Sequence, residues 1–116
     1  MYETILAVAE AMACKVTKQA DMSRYTSFRV GGPADLLIEP NSTESLSALL
    51  KACKQEGIKP IVLGRGTNVL IPDSGLNNVV LLLGDAFGKI EYCGNNMVRA
   101  QAGASVSKLC RFALDY

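Results

Sequence analysis

The sequence predicts an α+β (mixed α/β) fold, and three observations carry that reading. Segments with apolar residues at helical spacing alternate with short apolar runs bounded by Gly, Pro and Asn. A strand–helix–strand unit spans residues 35–63, the arrangement expected to pair its two strands in parallel. A Gly94-Asn95-Asn96 turn separates two further extended segments, the mark of a hairpin. The 116 residues are 49% hydrophobic and 20% charged, which suits a packed core and excludes disorder.

Each element follows from local pattern. Glu3 to Lys18 reads as a helix, because Ile5, Ala9, Met12 and Val16 recur at helical spacing. Gln19 to Pro33 is polar and Gly-containing, and reads as an irregular connector. Asp35 to Glu39 is a strand stopped by Pro40. A second helix opens with Ser42 as N-cap and Glu44 at its positive end, buries Leu46, Leu49, Leu50 and Cys53, and stops at Gly57. Pro60 to Leu63 lacks alternation and is expected to be a strand covered on both faces. Val69 to Ile71 is extended, Pro72 to Gly75 turns, and Val79 to Leu83 is a strand. Lys89 to Cys93 and Met97 to Ala102 form the hairpin, and the later strands read as antiparallel. Val106, Leu109, Cys110, Ala113 and Leu114 mark an amphipathic helix beginning near Ser105. A boundary in the Pro72–Gly75 turn gives two units, 1–71 and 72–116. The last helix is still in phase at Leu114 with no Gly or Asn cap, so the chain reads as cut within its second unit.

Composition narrows the function. A net charge of +1 gives no electrostatic reason to expect nucleic acid or anionic lipid as partner. No histidine is present, which removes His-based catalysis and His metal sites from this chain. Cys14, Cys53, Cys93 and Cys110 form no CxxC pair, so no metal site is expected. Three of them fall on helical apolar positions and read as reduced core thiols. Neither a signal peptide nor a membrane span is legible near Met1, and a reducing cytoplasm is the expected compartment.

The most specific local feature is Leu63-Gly64-Arg65-Gly66-Thr67-Asn68, a loop delivered by an apolar strand. Its glycines permit close approach to the backbone, successive N–H groups can converge on an anion, and Thr67 and Asn68 add donors. It is neither a P-loop, since no Lys follows Gly66, nor a dinucleotide fingerprint, since Val69 stands at the third glycine position. On spacing alone, a diphosphate cradle and a plain strand-to-strand turn both remain open. Tyr25 to Asp35 with Gly31 and Gly32 reads equally as a glycine-dependent connector, and Ala102-Gly103-Ala104 as close helix packing.

Together the segments Tyr-Thr-Ser-Phe-Arg-Val-Gly-Gly-Pro-Ala-Asp, Leu-Gly-Arg-Gly-Thr-Asn-Val-Leu, Asp-Ser-Gly-Leu and Ala-Gln-Ala-Gly-Ala occur in one order and spacing. In that order the chain resembles the UDP-N-acetylenolpyruvoylglucosamine reductase family, flavoenzymes of bacterial peptidoglycan precursor synthesis. The resemblance runs from about Tyr25 to the end. It implies an FAD-binding fold of the vanillyl-alcohol-oxidase type, the first subdomain being 1–71 and the start of the second 72–116. It also implies FAD as cofactor, NADPH as reductant of the full-length enzyme, and a nucleotide-sugar substrate. Carried over residue by residue, Gly64, Gly66, Thr67 and Asn68 contact the flavin diphosphate, the backbone of Leu63 and Arg65 assists, and Gly103 is a further contact. The family's catalytic serine, arginine and glutamate belong to later sequence, so no catalytic residue is assigned and the chain alone is expected to be inactive, with weak or undetectable FAD binding. Two other readings compete: part of another flavin oxidoreductase of the same fold, and a nucleotide-binding module without catalysis.

Overall fold

The computed structural model describes residues 2–26, 28–64 and 70–116. Its elements run α1 (Glu3–Ala11), β1 (Lys15–Asp21), a 3-10 turn (Met22–Arg24), β2 (Pro33–Glu39), α2 (Thr43–Gln55), β3 (Ile61–Leu63), β4 (Leu76–Leu82), a second 3-10 turn (Asp85–Phe87), β5 (Ile90–Gly94), β6 (Met97–Ala100) and α3 (Val106–Leu114). Four strands form one sheet in the order β1-β2-β4-β3, and β5 pairs with β6 in a second. Helices and strands together bear out the α+β class.

The first helix is shorter than its apolar spacing predicts. α1 stops at Ala11, and Ala13 turns the chain at φ 56°. Ala13 N–H donates to Glu10 O and Cys14 N–H to Ala9 O, the paired bonds of a Schellman motif. Residues 15–21, expected partly as helix and partly as connector, instead form β1, antiparallel to β2 from Lys15–Glu39 to Asp21–Pro33. This strand lies at the sheet edge and buries only Ala20 fully, so its sequence carries little apolar alternation.

The second helix follows its pattern. Ser42 Oγ accepts from Ser45 N–H, and Ser45 Oγ accepts from Ser42 N–H, so each end of the cap satisfies the other. Gly57 closes α2 at φ 70° with the same Schellman bonds, Gly57 N–H to Lys54 O and Ile58 N–H to Cys53 O. Leu49 and Cys53 are buried as expected, whereas Leu50 is exposed.

Two apolar layers sandwich the sheet. Ile5, Ala9, Leu49, Ala52 and Cys53 of α1 and α2 pack on Leu36, Ile38, Val79 and Leu81. The opposite face, with Ala34, Leu37, Leu63 and Val80, is closed by Met22 and Ile71 from irregular chain rather than by a helix. Gly31 and Gly32 lie hard against that cover. A Cβ on Gly31 would stand 2.6 Å from Ile71 Cβ, and one on Gly32 would overlap the Asp73 carbonyl.

Strand order departs from expectation at three points. β2 and β3 run parallel but do not touch, because β4 lies between them and is parallel to both. β3 is therefore an edge strand, and Val62 is half exposed instead of covered. The turn at Pro72–Gly75 also does not coincide with a change of sheet. β4, beyond it, belongs to the first sheet, and the second begins at β5.

The hairpin forms as its turn residues dictate. Asn95 and Asn96 take φ 54° and 61°, the left-handed pair of a type I′ turn. α3 starts on its Ser105 cap, which accepts from Lys108 N–H. None of its residues is buried, so Cys110, expected as a core thiol, is exposed, as is Cys93. Tyr116 stacks on Tyr92 at 4.4 Å and joins the end of α3 to the hairpin.

Candidate cofactor site

The parallel strands β3 and β4 end side by side. Leu63 pairs with Leu82, and Leu83 N–H donates to Leu63 O at 2.7 Å. In open α/β sheets the crevice beyond the carboxyl ends of parallel strands is where ligands bind. A cleft of about 490 Å³ opens here, within the range of small-molecule sites. Gly64, Leu82 and Gly84 supply one wall, and Arg24, Tyr25, Thr26 and Arg29 from the connector after β1 supply the other.

The three sequence features thus meet at one place. Gly64 abuts the third, since a Cβ there would stand 2.6 Å from Ala102 O. Gly103 is buried against the carbonyls of Leu83, Gly84 and Phe87, and its N–H donates to Phe87 O at 2.9 Å. Its lack of a side chain is a packing requirement of this corner. Leu63 puts its side chain into the core beneath. Arg65, Gly66, Thr67 and Asn68 lie outside the described residues.

The connector wall is polar and basic. Arg24 Nε lies 3.7 Å from Asp21 Oδ2. Hydrogen bonds from Ser23 hold the Asp21 carboxyl below its usual range, and the Arg24 charge adds to this. Arg29 makes no ion pair among the described residues, and its backbone sits at φ 53°. Thr26 is buried, yet its hydroxyl finds no partner among the described residues. A cleft lined by two arginines, a threonine whose buried hydroxyl lacks a partner among the described residues and a glycine at a strand end fits a phosphorylated cofactor. Leu82 and Gly84 carry no motif that would single them out in sequence, and Thr26 lies within the Tyr25–Asp35 motif without being marked there as a site residue. Thr26 becomes visible only through its burial. Among the described residues no group of His, Cys, Asp and Glu could hold a metal ion.

Comparison with known proteins gives the class first. The fold is that of FAD-binding domains of the vanillyl-alcohol-oxidase type. 4-Ethylphenol oxidase from Gulosibacter chungangensis matches 97% of this chain with a TM-score of 0.70, over 24% of its own length and at 18% identity. Glucooligosaccharide oxidase from Acremonium strictum matches 97% of this chain and 25% of its own, with a TM-score of 0.64 and 18% identity. A family model then fixes membership: residues 34–115 match the FAD binding domain, and the chain belongs to that family.

Curated relatives are nearer in sequence. UDP-N-acetylenolpyruvoylglucosamine reductase of Pelobacter propionicus is 45% identical over 94 residues, covering 81% of this chain and 32% of that protein. The Clostridioides difficile reductase is 44% identical over 88 residues, 76% of this chain and 29% of its own. One from Clostridium botulinum is 40% identical over 100 residues, 86% of this chain and 32% of its own. The chain spans about a third of the length of these relatives.

Proposed function

We propose that this chain is the FAD-binding part of a UDP-N-acetylenolpyruvoylglucosamine reductase, acting in the bacterial cytoplasm. The whole enzyme uses NADPH to reduce UDP-N-acetylglucosamine enolpyruvate to UDP-N-acetylmuramate for peptidoglycan. The observation that carries this reading is that the connector after β1 and Gly64 line one cleft at the ends of β3 and β4, with Ala102 packed against Gly64. Family membership and the named relatives support it.

When bound, FAD supplies the redox ring through which hydride passes from NADPH to substrate. The chain's own residues hold the nucleotide. Gly64 and Gly66 admit the diphosphate close to the backbone, Thr67 and Asn68 donate hydrogen bonds, and the backbone of Leu63 and Arg65 completes the cradle. Gly103 supports the same corner through its packing. No catalytic residue is assigned to this chain.

Binding and turnover separate cleanly in the test. An NMR titration of the isotope-labelled chain with millimolar FAD is expected to give weak, saturable shifts at the amides of Gly64 and Gly84. Gly66→Val is expected to abolish them with the fold retained, since its branched side chain blocks the backbone approach. NADPH oxidation coupled to enolpyruvyl reduction is expected to be absent. Full-length protein that neither retains FAD nor shifts on its addition would remove the proposal.

A further inference from the structure

We infer that Thr26 is a ligand-binding residue of this cleft, its hydroxyl donating to a diphosphate oxygen of the bound nucleotide beside the Arg29 guanidinium. This rests on the FAD reading above and names a wall of the site outside the Gly64–Asn68 loop. The first observation is satisfaction. Thr26 is only 6% exposed and lines the cleft, and its Oγ1 has no partner among the described residues. A buried hydroxyl without a hydrogen bond costs about 1–3 kcal/mol, and such groups in native folds call for an explanation.

The second observation is strain. The turn that Arg29 N–H closes on the Thr26 carbonyl holds Arg29 at φ 53°, a left-handed conformation that a long side chain adopts at a cost. Such strain clusters where a fold positions a group for a ligand. The turn brings Arg29 to the cleft that Gly64 also lines, with no ion pair among the described residues. The Thr26 hydroxyl is itself inaccessible as placed, so the inferred donation calls for a different staggered rotamer of this side chain. A guanidinium, a hydroxyl and a glycine backbone around one cleft suit a diphosphate.

Two kinds of nucleotide carry that diphosphate, the flavin cofactor and a UDP-sugar, and the assignment here is to FAD. The experiment compares wild type, Thr26→Val, Thr26→Ser and Arg29→Gln by NMR titration with FAD and, separately, with UDP-N-acetylglucosamine, together with thermal melting without ligand. Thr26→Val is expected to weaken FAD about tenfold, while Thr26→Ser stays within about threefold of wild type. Arg29→Gln is expected to weaken it by a similar factor. Without ligand, Thr26→Val is expected to melt at or above the wild-type temperature, because a methyl replaces an unsatisfied hydroxyl of the same shape. Wild-type FAD binding unchanged by Thr26→Val would overturn the inference and leave the FAD reading standing. A lowered melting temperature for that variant would also overturn it, since the hydroxyl would then have an internal partner. Shifts at these amides with UDP-N-acetylglucosamine but none with FAD would overturn the assignment to the cofactor. Full-length wild type that binds neither nucleotide would remove both readings.

Discussion

Ala13 holds a left-handed conformation that costs an alanine about 1–2 kcal/mol, while Gly57 adopts the same one freely. Both residues close a Schellman motif, with equivalent hydrogen bonds at the ends of α1 and α2. Ala13→Gly is therefore expected to stabilise the fold by about 1 kcal/mol, read as a higher urea midpoint with an unchanged slope. The contrast also explains which helix end was legible. Gly57 marks a stop in the sequence, whereas Ala13 lets Val16 extend a helical spacing that the backbone has already abandoned. The thiols divide the same way. Cys53 is buried, and burial raises its pKa, so it is expected to react only on unfolding. Cys93 and Cys110 are exposed and are expected to label rapidly in native protein, with Cys14 between the two extremes. Denatured, non-reduced protein is expected to titrate four thiols, because all four are free.

At the scale of elements, α1 lacks a side-chain cap of its own and borrows one. Glu56, just past α2, accepts from the N–H groups of Tyr2, Thr4 and Ile5. Glu56→Ala is expected to cost about 1–2 kcal/mol and to speed hydrogen exchange at Thr4 and Ile5 before other amides. This contact escaped the sequence because it joins residues far apart in the chain, whereas the Ser42 cap is local and was legible. Tyr2 also donates to Asp35 Oδ2 at 2.7 Å, tying α1 to β2. That hydrogen bond, with burial and the nearby Asp35 and Glu56 charges, pushes the Tyr2 pKa up to about 12. The unfolded phenol ionises near pH 10, so the stability from this contact is full below about pH 10 and lost as pH rises towards 12. Tyr2→Phe is expected to remove a phenolate step near pH 12 from the absorbance titration of native protein. β1 was missed for a different reason. An edge strand that buries one residue fully leaves no period to read.

The molecule measures 47 × 31 × 21 Å, elongated because the hairpin and α3 form a second body beside the four-stranded sheet. At this scale the sequence conveyed which segments cluster but not how they close. The Gly64 loop, the Tyr25–Asp35 connector and the Ala102–Ala104 turn were each visible as motifs, and Gly64 lies in one cleft with the connector and against Ala102. What stayed hidden was their dependence on tertiary packing: the orphaned Thr26 hydroxyl, the glycine contacts at Gly32 and Gly103, and the insertion of β4 between β2 and β3. A run of apolar residues specifies burial, and only pairing specifies neighbours. β3 and β4 have similar runs, yet one lies at an edge and the other at the centre.

That central placement of β4 bears on how the chain assembles as it leaves the ribosome. β1 and β2 emerge in sequence and can pair at once, since they are antiparallel neighbours. β3 emerges with no strand to join, because its neighbour has not yet been made. Only when residues 76–82 appear does one segment dock between two waiting strands and complete both ladders. The Gly64 corner is later still, since it packs on Gly84 and Ala102 as parts of the same cleft and turn. Vectorial synthesis therefore makes both α1 and α2 and the strands β1 to β3 before the cleft at the ends of β3 and β4 exists, and a ribosome stalled before β4 would hold a chain with its hydrophobic strand β3 unpaired and open to aggregation.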